Sequence, residues 1–368
     1  MSARLPLLRT ARRAREAGRQ RAPLGVTAVL SAGLAVACGS DGPPSVDGIE
    51  VPDGFGVTEV VAGLRGPTQF VVGDDGTAIV AQLNGEEGGG TGQILAVSLG
   101  GDDDGDGDGD GDEPTVLFDG LAKPTGVEVL GGQIWVMEER RLSSGPLEGG
   151  QLTTVLDELP FNGRSEGTLT ATDDGRLLYD TSGTLDGVNA AEDSGILWSL
   201  TPGGEPEELA RGFKHAYART FDADGALWQT EMSDGSYDGE PAPDELVAVE
   251  PGDDFGWPQC IGDRMAVEFY DGSAESCAAT PRSHALFDPG ATPTSVAVAP
   301  WDGDTLLVAL WNQGRVVSVS RQGGEEGPVE VTDFLTGLER PQHLVADGDR
   351  LLVGDYDGGR ILAVTETD

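Results

Sequence analysis

The chain has 368 residues, in which 23 Lys and Arg stand against 64 Asp and Glu, so its formal net charge is −41 at pH 7. This negative charge excludes nucleic acid as a partner, because binding to phosphates requires a basic surface. It does not restrict the fold, which has to be read from the order of the elements along the chain.

The first 37 residues have the pattern of an export signal. Seven arginines precede an apolar run over 22–37, which is shorter than the roughly 20 apolar residues of a membrane-spanning helix. The run ends at Ala37-Cys38-Gly39-Ser40, which resembles a bacterial lipobox. We therefore expect a signal over 1–37 and export to the bacterial cell envelope, on its periplasmic or extracellular face. A lipid on Cys38 would be the only contact with the membrane. The alternative is ordinary cleavage near Ala37.

Residues 38–50 are rich in Gly, Pro, Ser and Asp and are predicted to form a flexible tether. Without residues 1–37, which hold 7 basic and 1 acidic residue, the net charge would be −47. We assign residues 51–368 to one domain, with an acidic low-complexity insert at 101–113.

One unit recurs along this domain. A Pro or Gly entry, a short apolar strand, a tight turn and a second apolar strand follow each other, and helical periodicity is nearly absent. The turns are predicted at Asp75-Gly76, Gly131-Gly132, Asp174-Gly175, Asp224-Gly225, Asp302-Gly303 and Asp347-Gly348. Such dipeptides between apolar runs favour type I′ hairpins, which need positive φ.

The six copies predict an all-β, six-bladed β-propeller. Their entry positions, called anchors below, are 67, 124, 166, 216, 293 and 341. This spacing is close to the roughly 40–50 residues of a propeller blade. A β-sandwich would also have short strands, but it would not repeat one unit six times.

Basic residues precede the anchors in five of the six copies. The pairs in question are Arg65-Gly66, Ala122-Lys123, Arg164-Ser165, Lys214-His215, Ala291-Thr292 and Glu339-Arg340. Because inner strands line the central channel of a propeller, we expect a positive funnel there that attracts an anion. The alternative is that these bases are scattered ion-pair partners in an acidic protein.

Two cysteines remain if Cys38 is lipidated. An even pair in an exported chain predicts a disulfide between Cys260 and Cys277, inside a loop over 258–290; two free thiols are the alternative.

The acidic insert contains a weak EF-hand match. The run from Asp102 to Gly107, with Glu113, has the spacing of the calcium loop. No helical pattern flanks it, so a solvated acidic loop is the favoured interpretation and loose calcium binding the alternative.

Three segments together resemble a known family. They are Pro243-Asp244-Glu245-Leu246 with Gly256-Trp257-Pro258 before Cys260, the run 333–344 (DFLTGLERPQHL), and the run 351–361 (LLVGDYDGGRI). The order resembles the glucose/sorbosone dehydrogenase family over roughly residues 51–365. The resemblance implies a six-bladed propeller that oxidises a sugar with pyrroloquinoline quinone (PQQ) and calcium.

The resemblance also shows departures from the family. The place of the family's catalytic histidine is held by Arg164, or by Ser165 with a shift of one residue, and arginine cannot act as a base. His215 and His343 are the candidate substitutes, because a histidine titrates near neutral pH.

The cofactor positions are partly kept. Those implied by the resemblance are Lys214 with His215, Thr294, Asn312, Arg340 and Gln342, of which Asn312 and Gln342 stand where the family has Lys and Arg. The funnel adds Arg65, Lys123 and Arg164 as candidate ligands of an anionic cofactor. For calcium, the candidate ligands are Asp234, Asp238, Asp244 and Glu245.

The function predicted from the sequence is a PQQ- and calcium-dependent sugar or polyol dehydrogenase with an altered catalytic set. One alternative is a non-catalytic propeller that binds an anionic small molecule in its funnel. Another is a calcium-dependent, lactonase-like hydrolase, for which a basic channel is a poor site.

Overall fold

A computed structural model describes residues 43–85, 90–99, 113–164, 167–233 and 236–367. These residues are almost entirely β-structure and form six antiparallel four-stranded sheets, so the predicted six-bladed propeller is confirmed. The predicted signal segment, Cys38 with its predicted lipid, Ser165, Asp234 and the acidic insert up to residue 112 lie outside the described residues. No helix of the described part is long and apolar enough to cross a membrane.

The first strand, β1 (Phe55–Val61), belongs to the last blade, and blades 1 to 3 follow it. Blade 1 consists of β2 (Pro67–Val72), β3 (Thr77–Gln82), β4 (Gly92–Ser98) and β5 (Thr115–Leu121). Blade 2 consists of β6 (Gly126–Leu130), β7 (Gln133–Met137), β8 (Leu142–Pro146) and β9 (Thr153–Leu156). Blade 3 consists of β10 (Thr170–Ala171), β11 (Leu177–Thr181), a side hairpin of β12 (Leu185–Asp186) and β13 (Asn189–Ala190), β14 (Ile196–Leu200) and β15 (Pro206–Arg211).

Blade 4 carries the largest insertions. It consists of β16 (Ala216–Phe221), β17 (Leu227–Glu231), a side hairpin of β18 (Ser236–Tyr237) and β19 (Glu240–Pro241), β20 (Asp244–Val249), a second hairpin of β21 (Cys260–Ile261) and β22 (Met265–Ala266), a 3-10 turn (Glu268–Tyr270), the short helix α1 (Ala274–Cys277) and β23 (Ala285–Phe287). The predicted cysteine loop over 258–290 therefore includes the outer strand of this blade. The sequence did not indicate this strand because it is only three residues long.

Blades 5 and 6 complete the ring. Blade 5 consists of β24 (Pro293–Ala299), β25 (Asp302–Leu310), a 3-10 turn (Trp311–Gln313), β26 (Arg315–Ser320) and β27 (Val331–Thr336). Blade 6 consists of β28 (Pro341–Asp347), β29 (Arg350–Asp355) and β30 (Arg360–Glu366), and β1 is its outer strand. The two ends of the domain thus close the propeller by pairing β1 with β30.

The turns differ from the predicted type. Both central residues are left-handed only at Gly131-Gly132, with φ of 63° and 76°. At Asp75-Gly76 only the glycine is left-handed, and its N–H donates to the Gly73 carbonyl (3.0 Å). The chain therefore makes a wider hairpin with glycine at its last position.

The turn of blade 5 was predicted one step too late. Ala299 pairs with Asp302, so the turn lies at Pro300-Trp301 and Asp302-Gly303 begins the second strand. The Asp302 carboxylate instead accepts the Asp304 N–H and the Thr305 hydroxyl, which stabilises the irregular strand start.

The core lies between the blades. Six apolar clusters each combine side chains of two neighbouring blades, and the last of them joins blade 6 to blade 1 through residues such as Leu352 and Phe70. Each buried Leu or Val contributes roughly 1.5–3 kcal/mol by leaving water. Stability therefore depends on contacts between neighbours around the ring.

The prediction of a tether over 38–50 is wrong for residues 43–50, the part of it that the structure describes. Val46 and Ile49 pack on the apolar cluster between blades 5 and 6, and Glu50 pairs with Thr336. The Pro44 carbonyl also accepts the Val57 N–H (2.8 Å). Residues 43–50 are thus part of the propeller. Their few apolar side chains pack on it, which the composition of the segment alone does not reveal.

The predicted disulfide is confirmed. Cys260 and Cys277 are bonded (S–S 2.04 Å), and both are buried. The bond ties the second hairpin of blade 4 to α1, where the Cys277 sulfur also lies 3.6 Å from the Gln259 carbonyl oxygen.

Replacing both cysteines by serine is expected to lower the free energy of unfolding by about 3 kcal/mol, because the bond no longer restricts the loop in the unfolded chain. Denaturation curves of the two proteins measure the difference. In denaturant without reductant, an alkylating reagent should label neither Cys260 nor Cys277 of the wild-type chain. Labelling of both would contradict the bond.

Candidate functional site

A cavity of about 310 Å³ lies at one mouth of the central channel. All six blades contribute to its wall. The lining residues are Thr68, Leu83, Lys123, Thr125, Arg164, His215, Tyr217, Met232, Asp244, Gly290, Thr292, Thr294, Trp311, Asn312, Gln342 and Tyr356.

Two positions in each blade explain most of this wall. The residue after the anchor points into the cavity in five blades, as Thr68, Thr125, Tyr217, Thr294 and Gln342. The residue after the second strand does so in four, as Leu83, Met232, Trp311 and Tyr356. The sequence interpretation placed the wall two or three residues earlier than the first of these positions and missed most of these side chains. The alternation of side chains along a strand was the signal that could have found them.

In blade 3 the residue after the anchor is Gly167, where no side chain fits. A Cβ there would lie 2.2 Å from both an Asp180 oxygen and the Tyr217 carbonyl oxygen.

Among the blades in which the residue before the anchor is described, it is left-handed in three. Gly66, Lys123 and Thr292 have φ of 65°, 52° and 59°. Glycine adopts this conformation without strain, whereas a lysine and especially a β-branched threonine do not. Both strained residues line the cavity. Backbone strain of this kind concentrates at functional sites.

Of the five basic side chains that were predicted to form the funnel, two line the cavity. Lys123 and Arg164 line the cavity, and the Lys123 ammonium donates to the Arg164 carbonyl (2.5 Å), which joins the entries of blades 2 and 3. Arg65 is exposed outside the wall. The positive character of the mouth is therefore concentrated on one side of the ring.

Lys214 and Arg340 do not line the cavity. The Lys214 ammonium donates to the Ser233 carbonyl (2.9 Å) and lies 5.8 Å from the Tyr237 ring centre. The Arg340 guanidinium pairs with Asp357 (3.0 Å) and stacks 5.2 Å over Trp311, so it supports an aromatic part of the wall. Both side chains bind nearby acceptors that are distant in the sequence and that the sequence did not indicate.

Thr294, Asn312 and Gln342 line the cavity on the side of blades 5 and 6. The Thr294 hydroxyl donates to the Pro341 carbonyl (2.9 Å) and the Gln342 amide donates to the Tyr217 hydroxyl (2.6 Å). The Asn312 amide donates to the Gly290 carbonyl (2.9 Å). These bonds fix the side chains before any ligand binds.

The two candidate bases lie in different environments. His215 is buried in the cavity wall, edge-on to Tyr217, with 5.6 Å between the ring centres. His343 lies in the core, 5.2 Å from the Phe70 ring centre and 3.3 Å from the Ser295 hydroxyl. Burial lowers the pKa of His343 to about 3. The position of His343 therefore does not support a catalytic role, and His215 is the histidine that a cavity ligand would meet.

The predicted calcium ligands also separate. Asp244 is buried in the cavity wall, and its carboxylate accepts the backbone N–H groups of Ser233 (2.9 Å) and Thr292 (2.8 Å). The Asp238 carboxylate instead accepts the N–H groups of Glu268 (2.7 Å) and Phe269 (3.1 Å) at the 3-10 turn. Asp238 and Asp244 therefore do not share one site.

Glu245 faces a partner that the sequence interpretation missed. Glu231 of β17 pairs in register with Glu245 of β20, and both line an enclosed void of about 10 Å³ together with Ser233 and Gly262. That space suits one ion or one water molecule. The void adjoins the start of blade 4, where the backbone N–H of His215 donates to the Glu231 carboxylate (3.1 Å). In the sequence, Glu231 was marked only by its place on the strand that bears Trp228.

The buried glutamates are electrostatically strained. Burial raises the pKa of Glu245 to about 7, with hydrogen bonds from Ser283 and Gly262 opposing the rise. Burial and the neighbouring Glu245 raise the pKa of Glu231 well above its usual value. A hard cation between two such carboxylates would offset both effects, and oxygen atoms are the ligands that calcium prefers.

The carboxylate pair fits calcium as part of a site. No group of three or more His, Cys, Asp or Glu side chains converges on a metal position within the described residues. A cation at Glu231 and Glu245 would therefore need backbone carbonyls or water as further ligands, which calcium accepts readily.

The cavity also fits an anionic aromatic cofactor. Trp311 and Tyr356 form an aromatic wall with ring centres 4.7 Å apart, and Lys123 and Arg164 supply positive charge. The Thr125 hydroxyl is buried in the same wall and has no hydrogen-bond partner among the described residues. A buried hydroxyl of this kind calls for a ligand or water.

No protein-family model and no curated protein matches the chain. Solved structures do. The iodide structure of the Trichoderma reesei carbohydrate-active enzyme of family AA12 has a TM-score of 0.70 at 14% identity, over 87% of this chain and 98% of that one. The holo PQQ domain of pyranose dehydrogenase from Coprinopsis cinerea has a TM-score of 0.68 at 18% identity, over 89% and 99%.

A third similar structure is the PQQ-bound aldose sugar dehydrogenase from Streptomyces coelicolor, with a TM-score of 0.64 at 18% identity, over 86% of this chain and 99% of that one. The chain therefore has the six-bladed propeller fold of PQQ-dependent sugar dehydrogenases. The resemblance to the glucose/sorbosone dehydrogenase family is confirmed at the level of fold.

Proposed function

We propose that the protein is a PQQ- and calcium-dependent dehydrogenase of a sugar or polyol, with a catalytic set that differs from the family's. The observation that carries the proposal is the convergence of His215, Thr294, Asn312 and Gln342 on one cavity. The resemblance implies cofactor contacts at Thr294, which keeps the family's residue, and at Asn312 and Gln342, which replace its Lys and Arg; similar structures hold PQQ in the same fold.

In this proposal, bound PQQ would supply the two-electron oxidation of the carbinol carbon of the sugar. Thr294, Asn312 and Gln342 would hold it beside the wall of Trp311 and Tyr356. Glu231 and Glu245 would hold calcium in the void of blade 4. The Glu231 carboxylate also receives the backbone N–H groups of Lys214 (2.6 Å) and His215 (3.1 Å), so the acidic pair positions the entry of blade 4.

His215 is the proposed general base. A ring nitrogen would accept the proton of the sugar hydroxyl, which Arg164 cannot do because a guanidinium stays protonated. Burial of His215 in the cavity wall keeps bulk water from that proton. The Arg164 guanidinium contributes charge to the mouth from the entry of the neighbouring blade 3.

The chain loaded with PQQ and calcium is expected to reduce an artificial dye with one or more aldoses. His215→Gln should lower the rate by roughly 10²-fold or more while PQQ still binds, because a general base contributes about 10²–10⁴-fold. Arg176→Gln, on an exposed turn, is the matched control. Failure of wild-type protein to bind PQQ in equilibrium dialysis would reject the proposal.

A second candidate is a non-catalytic propeller that binds an anion. The presence of Arg164 where the family has its base favours it. Binding of PQQ or of another anion without dye reduction by any sugar would support this candidate over the dehydrogenase.

A further inference from the structure

Insertions of blades 3 and 4 stand beside the mouth of the cavity. The side hairpin β12–β13 follows the second strand of blade 3, and the side hairpin β18–β19 follows the second strand of blade 4. Met232, the residue after that second strand, lines the cavity, so both hairpins lie on the face that holds the cavity mouth. We call these two hairpins, together with the segment from β21 to the 3-10 turn at Glu268–Tyr270, the rim platform.

Hydrogen bonds join the parts of the rim platform. The Gln259 amide donates to the Val188 carbonyl (2.7 Å), which connects blade 4 to the side hairpin of blade 3. The Asp238 carboxylate accepts the backbone N–H groups of Glu268 (2.7 Å) and Phe269 (3.1 Å), which connects the side hairpin of blade 4 to the 3-10 turn. A buried apolar cluster packs the same segments together, and its members are Ala242, Trp257, Ile261 and Val267. The surface of the platform is therefore formed before any partner binds.

The rim platform exposes apolar side chains. Phe269 is 73% exposed, and Leu185, Val188 and Met265 are exposed as well. These are four of the eight large apolar side chains that are exposed among the described residues. The Phe269 ring lies edge-on to Tyr270, with 5.0 Å between the ring centres, so its exposed position is ordered. A single exposed apolar residue is common, whereas several on joined elements indicate a binding surface.

Acidic side chains alternate with the apolar ones along these segments. The exposed carboxylates of the platform and its flanks are those of Asp186, Glu192, Glu240, Glu268, Asp271 and Glu275. Over 184–194, 236–243 and 263–275 the one basic residue is Arg264, whose guanidinium donates to the Thr280 carbonyl (2.7 Å). Apolar side chains among carboxylates complement a protein whose apolar contact surface is ringed by positive charge.

This charge selects among the possible occupants of the platform. A second copy of the chain would bring the same acidic residues and a net charge of −41 against it, and an anionic lipid surface would also repel it. A cationic protein is attracted instead. The small apolar area suits the short-lived complexes that electron-transfer proteins form, rather than a permanent assembly.

The position of the platform suggests what such a partner does. The Tyr237 hydroxyl donates to the carbonyl of Ser233, the residue after Met232 of the cavity wall (3.0 Å). The Tyr237 ring lies 6.4 Å from the ring centre of Tyr270, which follows Phe269. A protein on the platform is thus connected to the cavity wall through a few packed side chains. Electrons that leave a sugar in the cavity need an acceptor at this mouth.

We propose that the rim platform docks a basic one-electron carrier protein, whose redox centre lies at an apolar edge ringed by lysine side chains. Oxidation of one sugar hydroxyl to a carbonyl releases two electrons and two protons. Two oxidised carrier molecules then accept one electron each, and the protons pass to water. The inference rests on the proposed function, because the sugar supplies the electrons.

Binding is measured on the full chain without PQQ, with a monohaem cytochrome c that has a lysine-rich haem edge as the probe. Phe269→Ser is expected to weaken this binding about tenfold, because it removes the largest apolar side chain of the contact. Glu268→Lys should weaken it at low salt and hardly at high salt, because salt screens exposed charges. Calorimetry at two salt concentrations gives both results.

Matched control variants lie at the opposite end of the propeller. Phe221 is exposed at the end of β16, and Glu205 is exposed in the turn between β14 and β15. Phe221→Ser and Glu205→Lys should bind the cytochrome as the wild type does. Equal losses in these controls and in the platform variants would mean that net charge alone attracts the cytochrome, and would overturn the inference. A dimer of the chain that Phe269→Ser dissociates would also overturn it, because the occupant would be a second copy.

The chain loaded with PQQ and calcium separates this inference from the proposed function. Phe269→Ser should reduce a small dye with an aldose as fast as the wild type does, but should reduce the cytochrome about tenfold more slowly. Dye reduction with equal cytochrome rates in the two proteins, or with none, would keep the dehydrogenase and overturn the docking site. Absence of dye reduction with any sugar would reject the dehydrogenase, whereas weaker cytochrome binding by Phe269→Ser alone would still support the docking site.

Discussion

Asp180→Asn is expected to lower the free energy of unfolding by about 3–5 kcal/mol, because the change leaves a buried charge without its partner. Asp180 of blade 3 pairs with Arg219 of blade 4 at 2.7 Å, and the two side chains are 1% and 0% exposed. The guanidinium also donates to the carbonyls of Thr168 (2.7 Å) and Leu178 (3.3 Å), so it cannot move out to water.

Urea denaturation of the wild type and of Asp180→Asn measures this loss. Asp157→Asn is the matched control, because Asp157 pairs with Arg141 at the surface with side chains 53% and 46% exposed. Such an exposed pair contributes about 0–1 kcal/mol. Equal effects of the two substitutions would mean that the pair between blades 3 and 4 is not a structural link.

The fold was predictable because its signal is repeated. The Asp-Gly and Gly-Gly turns and the apolar strands recur six times, so an error in one copy does not change the number of blades. The errors lie where one copy departs from the rest. In blade 5 an Asp-Gly dipeptide begins a strand, and in blade 4 a three-residue outer strand follows a long insertion.

The location of the site was predictable, whereas the direction of its side chains was only partly so. The residues before the anchors do converge on the channel mouth, and Lys123, Arg164 and His215 are in the wall. Lys214 and Arg340 turn to local partners, Ser233 and Asp357, instead. Long side chains choose among acceptors from different blades, and a linear sequence does not show which acceptors are near.

Only one member of the buried acidic pair was predictable from the sequence. Glu245 stands in a recognisable motif, but its partner Glu231 ends an apolar strand where a sequence pattern indicates only a strand boundary. Their proximity depends on the register between β17 and β20, which an insertion separates along the chain. Cross-strand pairs of this kind become visible only when the register is known.

The response of stability to calcium is expected to depend on pH. In the metal-free protein, burial raises the pKa of Glu245 from 4.5 to about 7, so the folded state binds its proton more tightly than the unfolded state does. Stability from this group is therefore full below about pH 4.5 and is lost as the pH rises to about 7. At about 1.4 kcal/mol per pKa unit the loss is about 3 kcal/mol, and Glu231 adds to it in the same direction.

Calcium should reverse that loss, because it binds the ionised carboxylates and not the protonated ones. Thermal unfolding with calcium and with a chelator is expected to differ by several degrees at pH 7.5 and hardly at pH 5, since about 1 kcal/mol shifts the midpoint by a few degrees. Glu245→Gln should remove the calcium response and reduce the pH dependence, because Glu231 still loses stability on ionisation through its own burial. Asp238→Asn should keep both, because the Asp238 carboxylate caps the 3-10 turn at Glu268. A calcium shift of equal size at both pH values, or one that survives Glu245→Gln, would place the cation elsewhere than between Glu231 and Glu245.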